Sequence, residues 1–280
     1  MIPAEFDYAV AGSADEAIGL LNEGGADAKL LAGGHSLLPL MKLRFAAPSL
    51  LVDIGRIADL RGVETGGDSF RIGALTRHAD LQERDDMGLI AAVAKQIGDQ
   101  QVRNRGTIGG SLVNGDTAAD LPAVLLAMDG TCVVRGAGGE REIAAADMFQ
   151  GYLSTAVAPG EMLTEVRVPS LAGYGFGYEK FNRRSEDWAI VGVAALVESD
   201  GGVCSDVRIG LTHMASTPLR ATAAEDALRG QPLDAEHIAA AAELAAEGTD
   251  PLGDLNATPD YKRHLARVLT RRALTSASAA

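Results

Sequence analysis

Two glycine-containing stretches limit what this chain can fold into more than any other feature of its sequence. The first glycine stretch (residues 29–39) reads Lys29-Leu-Leu-Ala-Gly-Gly-His-Ser-Leu-Leu-Pro39, and the second glycine stretch (residues 105–116) reads Arg105-Gly-Thr-Ile-Gly-Gly-Ser-Leu-Val-Asn-Gly-Asp116. Each carries a pair of glycines among apolar residues and a hydroxyl side chain close by. Glycines that interrupt a buried strand usually mark a bulge or a close approach of the backbone. We therefore expect a tight bend at each stretch.

Such bends favour the binding of an anion. Because glycine has no Cβ, successive backbone N–H groups can turn toward one concavity, and a group of such amides attracts negative charge. Two of these groups in one chain predict a ligand with two linked phosphates. The alternative is that both glycine pairs form ordinary turns, since the chain has 33 glycines and contains further Gly-Gly pairs among polar residues.

The composition narrows the class of partner. The chain has 280 residues, 47% of them hydrophobic, which is ordinary for a folded protein of two domains. Its net charge of −13 argues against a nucleic-acid partner, which needs clustered Lys and Arg. Cys132 and Cys204 are its only cysteines, and we expect both to be buried thiols in strands. Because these thiols cannot ligate an iron–sulfur cluster by themselves, any such centre must belong to another chain.

The sequence gives no indication of export or of a membrane span. Residues 1–7 lack a basic segment followed by an apolar one. The longest apolar run, residues 189–197, is too short to cross a bilayer. We therefore expect a cytoplasmic protein, either free or held peripherally at the inner face of the membrane through a complex.

Hydrophobic periodicity predicts an α+β fold. A capping box at residues 13–16, with strands at residues 29–32 and 50–54, predicts a small βαβ-like unit. The strands and helices that follow alternate irregularly. Among them, Asp120 is predicted to be the N-cap of a helix that runs to residue 128. Three consecutive strands followed by three Ala-rich helices, the last at about residues 259–275, predict a three-stranded antiparallel sheet with helices at the C-terminus. The predicted domains are residues 1–172, with subdomains of about residues 1–55 and 56–172, and residues 173–280.

Common catalytic motifs are absent from the sequence. There is no G-x-G-x-x-G and no P-loop motif, and the five histidines show no spacing typical of metal ligands. No catalytic or metal-binding residue is therefore predicted. Trp188 and Tyr178 either stack on a cofactor or belong to an aromatic core. A ligand that performs redox chemistry itself would explain a phosphate site without a catalytic residue.

The two glycine stretches and several further motifs resemble those of a known family, the FAD-binding medium subunits of molybdenum hydroxylases, such as carbon monoxide dehydrogenase and xanthine dehydrogenase. The resemblance covers nearly the whole chain. It rests on Ala32-Gly-Gly-His-Ser-Leu-Leu-Pro39, Met41-Lys-Leu-Arg44, Gln101-Val-Arg-Asn104, Gly106-Thr-Ile-Gly-Gly110, Asn114-Gly-Asp116, Ala119-Asp-Leu-Pro122, Gly160-Glu-Met-Leu163, Tyr178-Glu-Lys-Phe181, Asp187-Trp-Ala-Ile-Val-Gly192, Thr217-Pro-Leu219 and Tyr261-Lys-Arg263. The chain departs from the family at Ser111, where Asn is usual, at Thr117, where Pro is usual, and at residues 255–257.

The resemblance implies an FAD-binding domain of the vanillyl-alcohol-oxidase (PCMH) type in two subdomains, followed by the family's C-terminal flavoprotein domain. It implies that the two glycine stretches hold the FAD diphosphate and that Asp120 accepts hydrogen bonds from FAD hydroxyls. Lys180 either favours a reduced, anionic flavin or forms a salt bridge to Glu179 or another acid. The implied FAD contacts are Leu31, Ala32, Gly33, Gly34, His35, Ser36, Leu37, Thr107, Ile108, Gly109, Gly110, Ser111, Asp120, Leu163 and Lys180.

The same resemblance implies an electron-transfer subunit of an oxidoreductase. A large subunit would carry the molybdenum cofactor, and a small subunit would carry [2Fe–2S] clusters, in a dimer of heterotrimers. FAD would pass electrons to quinone, NAD or oxygen, and carbon monoxide is the first choice of substrate. Two alternatives stay open: a self-sufficient PCMH-type flavin oxidase, with flavin attached covalently through His35, and a non-catalytic nucleotide-binding assembly subunit.

Overall fold

The computed structural model describes residues 2–279 and confirms the predicted α+β class. The strands form sheets of three, five, four and two strands. Within residues 2–279, no helix is both long enough and apolar enough to cross a membrane.

The N-terminal part is a parallel sheet in the order β1-β3-β2. Ser13 caps its first helix by accepting a hydrogen bond from the Glu16 amide, and Gly25, with φ of 67°, ends that helix. The predicted βαβ-like unit therefore has one more strand, β1, whose residues are only exposed or half-buried. The elements are β1 (Asp7–Val10), α1 (Ala14–Gly24), β2 (Ala28–Leu31), α2 (Leu37–Leu43) and β3 (Leu50–Asp53).

The middle part is an antiparallel sheet in the order β4-β5-β10-β6-β7, with helices packed against it. Cys132 is a buried free thiol in β6, as predicted. The elements are β4 (Val63–Gly66), β5 (Ser69–Gly73), α3 (His78–Leu81), α4 (Leu89–Ala94), α5 (Gln100–Arg103), α6 (Ile108–Asn114), α7 (Asp120–Ala127), β6 (Thr131–Gly136), β7 (Gly139–Ala144), α8 (Ala145–Met148), β8 (Phe149–Gly151), β9 (Ser154–Thr155) and β10 (Met162–Pro169).

The C-terminal part is an antiparallel sheet in the order β11-β12-β13-β14, covered by helices. It has one more strand than predicted, the two-residue β14. Cys204 is the second buried free thiol and lies in β13. The elements are β11 (Tyr174–Phe181), β12 (Val191–Asp200), β13 (Val203–Thr212), β14 (Leu219–Arg220), α9 (Thr222–Leu228), α10 (Ala235–Glu243) and α11 (Pro259–Ser278).

Helix α7 joins the middle and C-terminal parts. All eight of its residues are buried, because it packs against strands β12 and β13 as well as against the core of the middle part. The approach is close: a Cβ added at Gly210 of β13 would lie 2.2 Å from the carbonyl oxygen of Ala123. Only glycine at this position allows the helix to lie so near the sheet.

Candidate functional site

One cavity of about 790 Å³ brings the two glycine stretches together. Its size falls within the range of about 300–1,000 Å³ that is usual for ligand pockets. The wall contains residues of the first glycine stretch, of helix α6, of strand β11 and of residues 153–163. Of the predicted contact residues, all except Ile108 line this cavity. The Ile108 side chain instead packs in the core of the middle part.

The first glycine stretch is an open bend between β2 and α2. Gly34 has φ of 77°, in the left-handed region that favours glycine. Within residues 2–279, no other backbone group pairs with the amides of Gly33, Gly34, His35 and Ser36. These residues all line the cavity. Their amides are therefore available to a ligand, which is the arrangement predicted for anion binding.

Gly33 places the two stretches in direct contact. A Cβ added at Gly33 would lie 2.3 Å from the carbonyl oxygen of Arg105 and 2.9 Å from Cα of Gly106. Both neighbours are backbone atoms, which cannot rotate away as a side chain does. The glycine is therefore required for the close approach of the stretches, and the predicted proximity of the two glycine stretches is present in the fold.

The second glycine stretch is not the predicted bend of free amides. It forms helix α6, capped by Thr107, whose hydroxyl accepts a hydrogen bond from the Gly110 amide at 3.2 Å. The amides of Ile108, Gly109 and Ser111 donate to the carbonyl groups of Thr76, Ala74 and Thr107. The prediction was wrong here because the Thr107 cap and tertiary hydrogen bonds outweigh the low helix propensity of glycine.

Besides the Thr107 amide, which pairs with no backbone group among the described residues, the second stretch offers hydroxyl groups to the cavity. Thr107 and Ser111 both line the cavity. A hydroxyl that accepts one hydrogen bond can still donate another, so the Thr107 cap does not exclude a ligand contact. Ser36, at the start of α2, uses its side chain to cap no amide of that helix. These three hydroxyl groups thus lie on the wall of the same cavity as the free amides of the first stretch.

A buried ion pair forms another part of the wall. Lys180 Nζ lies 3.0 Å from Oδ2 of Asp120, and the two side chains are 2% and 7% exposed. Tyr178 donates a hydrogen bond to the other Asp120 oxygen, and Lys180 also donates to the carbonyl oxygen of Gln96 at 3.1 Å. Burial raises the pKa of Asp120, while Lys180 and Tyr178 act in the opposite direction.

This pairing corrects one prediction and identifies the acid that pairs with Lys180. Asp120 is not the N-cap of α7: Ala119 holds that position, and Asp120 is the first helical residue, with its carboxylate turned to Lys180 and Tyr178. Lys180 pairs with Asp120 rather than with its neighbour Glu179, because adjacent side chains of a strand point to opposite faces. Tyr178 packs in the core and is not among the residues that line the cavity.

His78 lines the cavity and was missed by the sequence patterns. It is 4% exposed, and burial, with smaller effects from His35 and Arg103, lowers its pKa from 6.5 to about 4. Its Nδ1 atom is buried and has no hydrogen-bond partner among the described residues. The imidazole is therefore neutral at pH 7. Nothing in its sequence neighbourhood distinguishes it from a histidine of an ordinary helix.

Several other wall residues supply apolar surface. Leu31, Ala32, Leu37 and Leu163 lie along the cavity. Trp188 is 61% exposed and also lines it, so its indole ring is not part of the core. Within the part of the chain that the structure describes, no group of three or more His, Cys, Asp or Glu residues could hold a metal ion.

Comparison with known proteins gives consistent matches over the whole chain. The family described as FAD binding domain in molybdopterin dehydrogenase matches residues 4–171, and CO dehydrogenase flavoprotein C-terminal domain matches residues 176–277. The carbon monoxide dehydrogenase medium chain of Hydrogenophaga pseudoflava is 43% identical over 99% of this chain and 98% of the relative. The 6-hydroxypseudooxynicotine dehydrogenase complex subunit alpha of Paenarthrobacter nicotinovorans is 41% identical over 99% and 96%.

A solved structure has the same fold. The chain in carbon monoxide dehydrogenase from Hydrogenophaga pseudoflava that lacks the Mo-pyranopterin moiety of the molybdenum cofactor superposes with a TM-score of 0.96. The two chains are 45% identical, and the match covers 100% of this chain and 99% of the other.

Proposed function

This chain belongs to the FAD-binding medium subunits of the molybdenum hydroxylases, which are oxidoreductases, and on that premise we propose that it is the electron-transfer subunit of such a complex. The observation that carries the proposal is the cavity wall that joins free amides, hydroxyl groups and a lysine. Bound FAD would supply electron exchange between [2Fe–2S] clusters of a partner subunit and an external acceptor, either quinone, NAD or oxygen.

The residues present fit FAD. The free amides of residues 33–36 and the hydroxyl groups of Ser36, Thr107 and Ser111 are donors suited to a diphosphate. Because residue 33 is a glycine, the two stretches can meet where a Cβ would overlap the backbone of residues 105 and 106. The donors of the two stretches are therefore close together. Asp120 retains acceptor capacity for ligand hydroxyl groups, and the exposed face of Trp188 suits a flat ring.

Other subunits would supply the remaining redox centres. The relatives are a medium chain and a subunit alpha of a complex, which supports a large subunit with molybdenum cofactor and a small subunit with [2Fe–2S] clusters. The buried thiols of Cys132 and Cys204 lie in separate sheets, so they do not provide a cluster site. A dimer of heterotrimers in the cytoplasm, or peripherally at the inner face of the membrane, is the proposed assembly.

The proposed substrate of the complex is carbon monoxide. The relative at 43% identity is named for carbon monoxide, and the one at 41% is named for 6-hydroxypseudooxynicotine. The proposed domains are residues 1–172, with subdomains of about residues 1–55 and 56–172, and residues 173–280. The two family matches, which end at residue 171 and begin at residue 176, support this division.

Purification of the native complex tests the function. We expect a tagged chain to co-purify with two further subunits, one FAD per copy, molybdenum and iron. The same chain expressed alone should bind FAD but neither metal. A chain that purifies alone with flavin still attached after denaturation would support the flavin oxidase alternative, in which His35 holds the flavin covalently. A colourless complex would support the assembly-subunit alternative.

A further inference from the structure

Tyr178 does not line the cavity, but it contacts Asp120, which does. Strand β11 directs Tyr174, Phe176, Tyr178 and Lys180 to one face, since alternate residues of a strand share a face. This face packs against the middle part: Phe176 lies beside Gly88, and Tyr178 joins the core there. Tyr178 and Lys180 are therefore next to each other on the strand face that meets helix α7.

Asp120 links the two side chains. One carboxylate oxygen accepts the Tyr178 hydroxyl, and the other accepts Lys180 Nζ at 3.0 Å. A second acceptor for Lys180 is the carbonyl oxygen of Gln96, at 3.1 Å. An ammonium group has one more N–H than these two acceptors use. Because Lys180 lines the cavity, the remaining N–H is available to a ligand.

We propose that Tyr178 is a positioning residue for the cofactor site, which holds Asp120 so that the carboxylate fixes the Lys180 ammonium at the cavity wall. This inference rests on the proposed function, because it assigns the ligand of Lys180 as the bound flavin nucleotide. Tyr178 acts through Asp120 and touches no ligand. Its hydroxyl also keeps one oxygen of a buried carboxylate paired, and such a hydrogen bond to a charged group is stronger than one between neutral groups.

The strand provides a matched control. Tyr174 lies on the same face of β11, and its hydroxyl donates to Oδ2 of Asp206 at 2.8 Å. Tyr174→Phe therefore removes the same kind of tyrosine–aspartate hydrogen bond from the same strand. Neither Tyr174 nor Asp206 lines the cavity.

The test is FAD affinity of the full-length chain, measured by quenching of flavin fluorescence on titration of the apoprotein. Tyr178→Phe should weaken binding about tenfold at neutral pH, whereas Tyr174→Phe should bind as the wild type does. In an Asp120→Asn background, Tyr178→Phe should add less than about a twofold loss, because contacts that act as a unit are not additive.

The pH dependence of FAD affinity distinguishes a loss of the Tyr178 contact with Asp120 from a general loosening of the fold. Tyr178 and Lys180 are the charged or titratable side chains that contact Asp120. Loss of the tyrosine hydrogen bond raises the pKa of a carboxylate, and a protonated Asp120 no longer forms an ion pair with Lys180. When pH falls from about 8 to about 5, affinity should therefore decline at a higher pH in Tyr178→Phe than in the wild type. The other charged groups of the wall, including Asp99 and Asp116, are present in both proteins and so do not contribute to the difference between them.

The outcomes are distinguishable. A Tyr178→Phe chain that binds FAD like the wild type would overturn the inference and leave the proposed function intact. So would a loss that is the same at every pH and additive with Asp120→Asn, since this indicates only a looser fold. A wild-type chain that binds no FAD at any pH would contradict the proposed function, and the inference with it.

Discussion

At the scale of single residues, the cavity depends on a position where no side chain fits. The backbones of the two glycine stretches meet at Gly33, and the free amides begin at the same residue. The glycine that the sequence marked as a bend therefore also sets the distance between two segments of the chain. This second role is a consequence of tertiary structure, and the sequence of either stretch alone does not contain it.

Substitution of Gly33 by alanine tests this role. The added Cβ would lie 2.3 Å from the Arg105 carbonyl oxygen, so the stretches must separate. We expect an FAD affinity at least about tenfold lower and a free energy of unfolding lower by about 1–3 kcal/mol. Gly138→Ala is the control, because a Cβ there meets nothing within 4 Å. Flavin titration and urea unfolding measure both effects; full FAD affinity in Gly33→Ala would contradict the assignment.

His78 makes stability depend on pH. Its pKa is lowered from 6.5 to about 4 in the folded chain, so the unfolded chain binds more protons between these values. Stability from the neutral imidazole is therefore present above about pH 6.5 and is lost as pH falls toward 4. Between about pH 7 and pH 5 the loss should be about 2 kcal/mol.

Urea unfolding of His78→Gln at both pH values measures this contribution. The variant should lose about 2 kcal/mol less than the wild type over this interval, because glutamine does not titrate. His264→Gln, which replaces a histidine outside the cavity wall, serves as the control. Equal pH dependence of His78→Gln and the wild type would show that His78 is not held neutral by burial.

At the scale of elements, helix α6 depends on its cap. Thr107 accepts from the Gly110 amide, and two of the next three residues are glycines, which favour the unfolded chain. Thr107→Val should therefore lower the free energy of unfolding by about 1 kcal/mol and weaken FAD binding, since it also removes a hydroxyl from the wall. Thr107→Ser keeps both functions and should resemble the wild type. Thermal unfolding and flavin titration compare them; unchanged FAD affinity in Thr107→Val would exclude the Thr107 hydroxyl as a ligand contact.

The elements also show how far the sequence predicts this structure. Long periodic segments were predicted well: α11 was expected over residues 259–275 and spans Pro259–Ser278. Strand β1 was missed because it is short and no residue in it is fully buried, so it lacks a clear alternation of apolar and polar residues. Helix α6 was missed because its glycines predict a bend, while the carbonyl groups of Ala74 and Thr76 that hold it lie elsewhere in the chain.

The candidate site likewise has features that the sequence predicts and features that it does not. Residues adjacent in sequence, such as Gly33 to Ser36, were identified from their local pattern. The pairing of Asp120 with Lys180 and Tyr178 was not, because it joins residues about sixty positions apart and no local pattern encodes it. Burial of His78 is likewise a property of the packed fold. Local chemistry is thus readable from sequence, whereas pairing and desolvation require the structure.

At the scale of the whole molecule, the cavity needs both the middle and the C-terminal parts. Asp120 comes from helix α7 of the middle part, and Lys180 comes from strand β11 of the C-terminal part. Their ion pair can form only while α7 is packed against the C-terminal sheet. Gly210 of β13 lies against Ala123 of α7, with no room for a Cβ between them.

Gly210→Ala should therefore affect the cavity without touching it. The added Cβ would lie 2.2 Å from the Ala123 carbonyl oxygen and push α7 away from β13, at a cost of about 1–3 kcal/mol. We expect faster hydrogen exchange in α7 and β13, unchanged exchange in the β1-β3-β2 sheet, and FAD binding weakened about tenfold. Gly66→Ala, where a Cβ meets nothing within 4 Å, should match the wild type. If Gly210→Ala exchanges faster at α7 yet binds FAD normally, the packing of α7 on the C-terminal sheet does not govern FAD binding in the cavity.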